Sequence, residues 1–177
     1  KAYAVPGQTV TVTPQVGGQT EGVTYNYVWQ RDGWAEWGSN MKDGGSATTQ
    51  TSWDFTPSKA GTYTLYVDVI GADGYVTTKE TSLVVWQAKG LDATASDGNS
   101  HWTVSCDLGG VPLDGFTFNY VWKKGSDEGD WSQWGSTVSE SGGATSETSH
   151  TFAFSQEDYY WLYVDVIDPE GNKATVK

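Results

Sequence analysis

Apolar and polar residues alternate along most of this chain. Thr9 to Thr13 reads Thr-Val-Thr-Val-Thr, which puts Val10 and Val12 on one face of a strand. Tyr25, Tyr27 and Trp29 line one face of the next strand, and Asn26 and Val28 line the other. In a later strand Tyr63, Leu65, Val67 and Val69 point one way, leaving Thr64, Tyr66, Asp68 and Ile70 opposite. Further strands are predicted near 34–39, 48–55 and 75–86, separated by the turn signals Gly17-Gly18, Gly44-Gly45 and Asp73-Gly74. No long stretch has a helical period.

The pattern then repeats. Tyr25-Asn-Tyr-Val-Trp29 returns as Phe118-Asn-Tyr-Val-Trp122, Trp34-Ala-Glu-Trp-Gly-Ser39 as Trp131-Ser-Gln-Trp-Gly-Ser136, and Tyr63-Thr-Leu-Tyr-Val-Asp-Val-Ile70 as Tyr160-Trp-Leu-Tyr-Val-Asp-Val-Ile167. The offset is 93 for the first pair and 97 for the other two, so the second copy carries four extra residues around Gly125-Ser-Asp-Glu-Gly-Asp130. Collinearity of this extent predicts two tandem domains, 1–88 and 89–177, each with about six or seven strands. Their connection, Trp86 to Leu91, has no Pro or Ser tract and only Gly90 as a hinge. The second copy, aligned on the first, is expected to carry only the opening residues of its last strand. The chain begins on Lys, as expected of a mature region or an excised segment.

Six or seven short strands in under 90 residues predict an antiparallel β-sandwich. The order of landmarks sharpens this: an inward Trp29, then Lys59-Ala-Gly-Thr-Tyr-Thr-Leu-Tyr-Val-Asp-Val69, then a turn into a long final strand. Each copy thereby resembles the immunoglobulin, fibronectin type III and PKD group. That resemblance implies two Ig-like sandwiches and a tyrosine corner at Gly61-Thr62-Tyr63; the second copy has Asp158-Tyr159-Tyr160 and lacks the glycine. A closer resemblance, over about half of each copy, is to triple-tyrosine-type repeats of Gram-positive bacterial surface or secreted proteins. It implies an extracellular or cell-surface, non-catalytic spacer or stalk beside other modules of a larger parent protein.

Charge and composition narrow the partners. A net charge of −12 repels nucleic acid, anionic lipid and polyanionic wall polymers, so neutral or cationic partners are expected. No run of 18 apolar residues is present to insert into a membrane. The single cysteine, Cys106, forms no intrachain disulfide, and none of the five asparagines begins an Asn-x-Ser/Thr acceptor; both features fit a Gram-positive exterior better than a eukaryotic secretory route.

Two sets of residues are candidates for binding. The pairs Trp34/Trp37 and Trp131/Trp134 either close the core and sheet edge, as in the aromatic ladder of WSxWS-type fibronectin domains, or stay open to bind a neutral glycan or an extracellular protein. In that ladder arginines stack between the rings, and few arginines are present here. Asn26, Tyr66 and Asp68 recur as Asn119, Tyr163 and Asp165 on the solvent side of neighbouring strands, forming either a recognition patch or a cross-strand brace. Asp127, Glu128 and Asp130 have no EF-hand spacing and read as a solvated acidic loop. His101 and His150 have no ligand spacing, and His150 aligns with Trp53 at the core edge. No nucleophile–base constellation recurs, so no catalytic residue, metal or cofactor is expected.

Overall fold

The structure is a computed structural model that describes residues 2–42, 45–129 and 131–177. Lys1, Asp43, Gly44 and Asp130 lie outside the described residues, and with them half of the Gly44-Gly45 turn signal and the last member of the acidic run. Two compact units, 1–86 and 87–177, make up the chain.

Unit one contains β1 (Ala2–Ala4), β2 (Val10–Val12), β3 (Thr24–Arg31), β4 (Glu36–Ser39), β5 (Trp53–Phe55), β6 (Gly61–Ile70) and β7 (Val76–Val85). Its larger sheet has the order β1-β7-β6-β3-β4 and its smaller sheet pairs β2 with β5. Unit two contains β8 (Gly90–Ser96), β9 (His101–Asp107), β10 (Thr117–Lys124), β11 (Gln133–Ser136), β12 (Ser149–Ala153), β13 (Tyr160–Ile167) and β14 (Lys173–Val176). Its sheets run β11-β10-β13-β14 and β12-β9-β8. Both units are Ig-like β-sandwiches, nearly all antiparallel, with seven strands each among the described residues. The predicted strand near 48–55 is shorter than the sequence implies: Thr48 makes only an isolated bridge to Tyr25, and β5 starts at Trp53.

The predicted inward faces meet in the cores. Leu65, Tyr63, Leu83 and Val85 of the larger sheet pack with Ala4 and with Phe55 of the smaller, and Tyr25, Tyr27 and Val67 form a second cluster that Val12 and Trp53 cover. Val104, Phe118, Tyr120, Phe152, Val164 and Val166 are buried in unit two. Trp53 stacks on Tyr27 at 5.6 Å, and His150 stacks on Tyr120 at 5.5 Å, so the imidazole occupies the place of the indole.

Burial lowers the His150 pKa from its ordinary value, against an opposing pull from Glu140. The unfolded chain therefore binds a proton more readily than the folded one, and unit two loses stability as pH falls from about 6.5 through the lowered folded value. His150→Trp, the residue of the first copy, is expected to flatten the stability profile between about pH 7 and pH 5 in urea titrations. An unchanged slope would show that His150 does not contribute.

Tyr63 Oη donates to Lys59 O at 2.9 Å, forming the corner that its sequence context predicts. Unit two forms the equivalent bond, Tyr160 Oη to Gln156 O, at 3.3 Å although it lacks the glycine. The glycine sets a backbone angle, φ +149° at Gly61, and is not required for the bond itself.

One element had no signal in the pattern. Thr137–Ser141 forms a single helical turn, α1, capped at Ser136 by a box in which Ser136 and Ser139 exchange bonds, and closed by Gly142 in a left-handed conformation. A capping box written with two serines has no Glu or Gln to mark it.

Candidate functional site

The Asn-Tyr-Val-Trp motif is accounted for residue by residue inside each sandwich. Asn26 Nδ2 donates to Asp68 Oδ2 at 2.9 Å on the neighbouring strand, and Thr78 Oγ1 donates to Asp68 Oδ1 at 2.7 Å from the strand beyond. The same relay in unit two runs Asn119 to Asp165 (3.0 Å) and Thr175 to Asp165 (2.6 Å), reinforced by Lys173 at 3.1 Å. Tyr27 and Tyr120 cross the cores, and their hydroxyls donate to Gln50 O and Glu147 O, each at 2.8 Å. Trp29 and Trp122 turn inward at the positions opposite Gly38 and Gly135. A β-carbon at either glycine would lie 2.6 Å from the indole Nε1, so the Trp-Gly-Ser end of the following box is the seat of the core tryptophan.

The tryptophans of that box lie elsewhere. Trp34, Trp37, Trp131 and Trp134 are 53%, 42%, 40% and 53% exposed. None of them caps the core. Trp37 and Trp134 project from β4 and β11 opposite Gln30 and Lys123, on the face that carries Val28 and Tyr66 or Val121 and Tyr163. Within each pair the rings meet edge to face, at 6.5 Å and 67° in unit one and 6.3 Å and 84° in unit two.

The third aromatic differs between units. Trp34 lies flat on Tyr66, centroids 5.5 Å apart and planes 15° apart. In unit two a cation stands between the equivalent rings: Lys123 Nζ is 5.2 Å from the Trp131 ring and 4.9 Å from the Tyr163 ring. Lys42 lies 4.3 Å from the Trp37 ring, and Lys177 5.9 Å from Trp161. Lysine thus takes the stacking role that the scarcity of arginine left open. Lys123 and Lys177 stand where the first copy has Gln30 and Glu80, and the repeat alignment was the only signal that pointed to them.

The turn that presents Trp34 is strained. Asp32, Gly33 and Trp34 have φ of 50°, 71° and 72°, and a bulky side chain in the left-handed region costs on the order of 1–3 kcal/mol. Gln30, 8% exposed, holds it there by accepting from the Trp34 N–H at 2.8 Å while its Nε2 donates to Thr64. Arg31 and Lys59 both bond Glu36 and close the hairpin beneath it.

The four-residue insertion in unit two is engaged. Glu128 accepts from Tyr163 Oη at 3.3 Å and from Lys177 Nζ. The bond from Lys177 holds the Glu128 carboxyl below its ordinary value. Burial, followed by the adjacent Glu128 charge, raises the Tyr163 phenol. Among the described residues no group of three or more His, Cys, Asp or Glu side chains could hold a metal ion. The Cys106 thiol is pushed up to about 11, mostly by burial, which keeps it protonated and unreactive at neutral pH.

No protein-family model matches the chain, and no curated protein matches it. Solved structures similar to it include the first three fibronectin domains of chicken CNTN1 (11% identity, TM-score 0.36), of which the chain spans 64% while 99% of its own length is covered. They also include the chicken interferon gamma receptor alpha chain (7% identity, TM-score 0.39), with 98% of this chain and 93% of that one covered. Domains 3 and 4 of rat CD4 are similar at 14% identity and a TM-score of 0.39, with 99% and 97% covered.

Proposed function

We propose that this chain is a non-catalytic, extracellular tandem module that binds a neutral glycan through the two exposed tryptophan clusters, as part of a larger bacterial surface protein. One observation carries the reading: four tryptophans at equivalent positions, two per unit, stay 40% or more exposed where burial would be favourable. Indole faces stack on the apolar faces of sugar rings, and a chain of net charge −12 favours an uncharged ligand over an acidic one. The strain at Trp34 supports the same view, because Gly or Asn would sit in that turn at less cost.

Titration calorimetry of neutral oligosaccharides selected on a glycan array tests it. Trp34→Gly, which relieves the left-handed strain, is expected to leave the melting temperature within a few degrees of the parent and to weaken binding at unit one by tenfold or more. Trp131→Ala/Trp134→Ala does the same for unit two. Folded variants that bind as tightly as the parent would end the glycan reading.

A second reading, a spacer that presents neighbouring modules, rests on the edge-to-face contact in each pair and on Lys42 over Trp37, which shield part of the rings. Its signature is an array without hits and a Trp37→Ala variant whose only change is a lower melting temperature.

A further inference from the structure

The two tryptophan clusters differ at the residue in the middle of their sheet face. In unit one Gln30 of β3 stands in register between Trp37 of β4 and Thr64 of β6. Both of its polar atoms are used locally, since Oε1 accepts from the Trp34 N–H and Nε2 donates to Thr64 Oγ1. In unit two the position belongs to Lys123, in register between Trp134 of β11 and Trp161 of β13. Cross-strand partners point to the same side of a sheet, so this lysine rises between two indoles. Its ammonium reaches over two further rings, those of Trp131 and Tyr163.

The ammonium is half-buried and short of acceptors. Three hydrogens point outward from Nζ, and among the described residues no oxygen accepts from any of them. The next residue, Lys124, by contrast bonds Gln156 and pairs with Asp158. Aromatic faces offset the charge of Lys123 without using its donors directionally. A group bound beside Trp131 and Trp134 therefore meets a fixed, charged donor in unit two, and in unit one a glutamine already engaged by its neighbours.

We propose, building on the glycan reading of these clusters, that Lys123 determines the specificity of unit two and selects N-acetylated amino sugars by donating to the acetamide carbonyl. The surroundings choose that acceptor. A sugar carboxylate would face Glu128, which Tyr163 and Lys177 hold in place and which stands close enough to Lys123 for their charges to interact. It would also approach a chain of net charge −12. A hydroxyl brings a donor of its own that needs a further partner. The amide carbonyl of an acetylated sugar accepts without adding charge, and its methyl group gains apolar cover from the adjacent indoles.

The test uses the full chain, two β-linked trisaccharides, one of glucose and one of N-acetylglucosamine, and calorimetry with NMR of the indole N–H signals. The acetylated sugar is expected to shift Trp131 and Trp134 and to bind unit two about tenfold or more tightly than the glucose sugar, the worth of a hydrogen bond from a charged donor. Lys123→Gln, which installs the residue of the first copy, should bring the two sugars within about twofold of each other at unit two. Lys123→Arg keeps a charged donor and should keep the preference, a rescue that loss of packing alone does not produce. Equal affinities in the parent chain overturn the proposal while leaving the glycan reading intact, as does tighter binding of a trisaccharide carrying a uronic acid. A preference that survives in folded Lys123→Gln overturns it as well. If no glycan binds the parent chain, both readings fall together.

Discussion

Truncating Trp29 to alanine is expected to lower the stability of unit one by about 3 kcal/mol, the low end for a large aromatic, because the indole is partly buried against the core. Its ring lies 5.8 Å from Phe55 and 5.7 Å from Tyr63. Gly38→Ala attacks the same contact from the other side. The new methyl would sit 2.6 Å from Nε1 and 3.0 Å from Cε2 of Trp29, closer than packed atoms approach, so a cost of about 1–3 kcal/mol follows from overpacking. The two effects share one cause. In a Trp29→Ala background Gly38→Ala should therefore cost no more than a few tenths of a kcal/mol, giving a coupling of 1 kcal/mol or more in a double-mutant cycle. Additive costs in urea denaturation would show that the glycine serves the backbone and not the indole. Gly135 and Trp122, with the same 2.6 Å approach, should reproduce the result in unit two.

Removing Asp165 is expected to cost about 2–4 kcal/mol, because three donors on the two flanking strands then lose a shared acceptor in a partly buried setting. Asn119, Thr175 and Lys173 converge on this one carboxylate. Burial would raise its pKa, but the hydrogen bonds from Thr175, Asn119 and Lys173 and the charge of Lys173 outweigh it and hold the carboxyl below the usual range. A carboxyl with a lowered folded pKa contributes stability that is fully present above its unfolded value, near 3.9, and is lost as pH falls through the folded value. Asp165→Ala should therefore lower stability at pH 7 and flatten the acid limb of the profile below about pH 4. Asp68→Ala should cost less, since the place of Lys173 is taken by Val76 in unit one, which supplies no charge to the carboxylate. Equal losses at Asp68 and Asp165, or an unchanged acid limb, would contradict the assignment.

Much of this architecture was legible in the chain, for an identifiable reason. A β-strand displays its residues with period two, so the inward run Tyr25, Tyr27, Trp29 and the outward Asn26 could be separated by parity alone, and the repeat doubled every such assignment. Function was less legible, because parity says which face a residue occupies and nothing about what lies over that face. Trp34 and Trp131 sit in turns outside the alternating pattern, where exposure depends on backbone angles such as φ 72° at Trp34. The lysines that stack on aromatic rings were hidden because Lys123 and Lys177 read as ordinary solvated charges until Trp131, Tyr163 and Trp161 were placed beside them. The Asn-Asp pairs were visible as a recurrence, and only the Thr78 and Thr175 bonds reveal them as braces that span three strands.

The placement of the first strand also decides how unit one carries tension. In unit one β1 runs parallel to the end of β7, with Ala2, Tyr3 and Ala4 opposite Leu83, Val84 and Val85, so the first and last strands are bonded directly to each other. A pull on the two ends of that unit slides these strands past one another and loads their backbone bonds together. In unit two β8 pairs instead with β9, in the sheet β12-β9-β8. Unit one is thus a link closed by a ladder of hydrogen bonds that are loaded together and fail together.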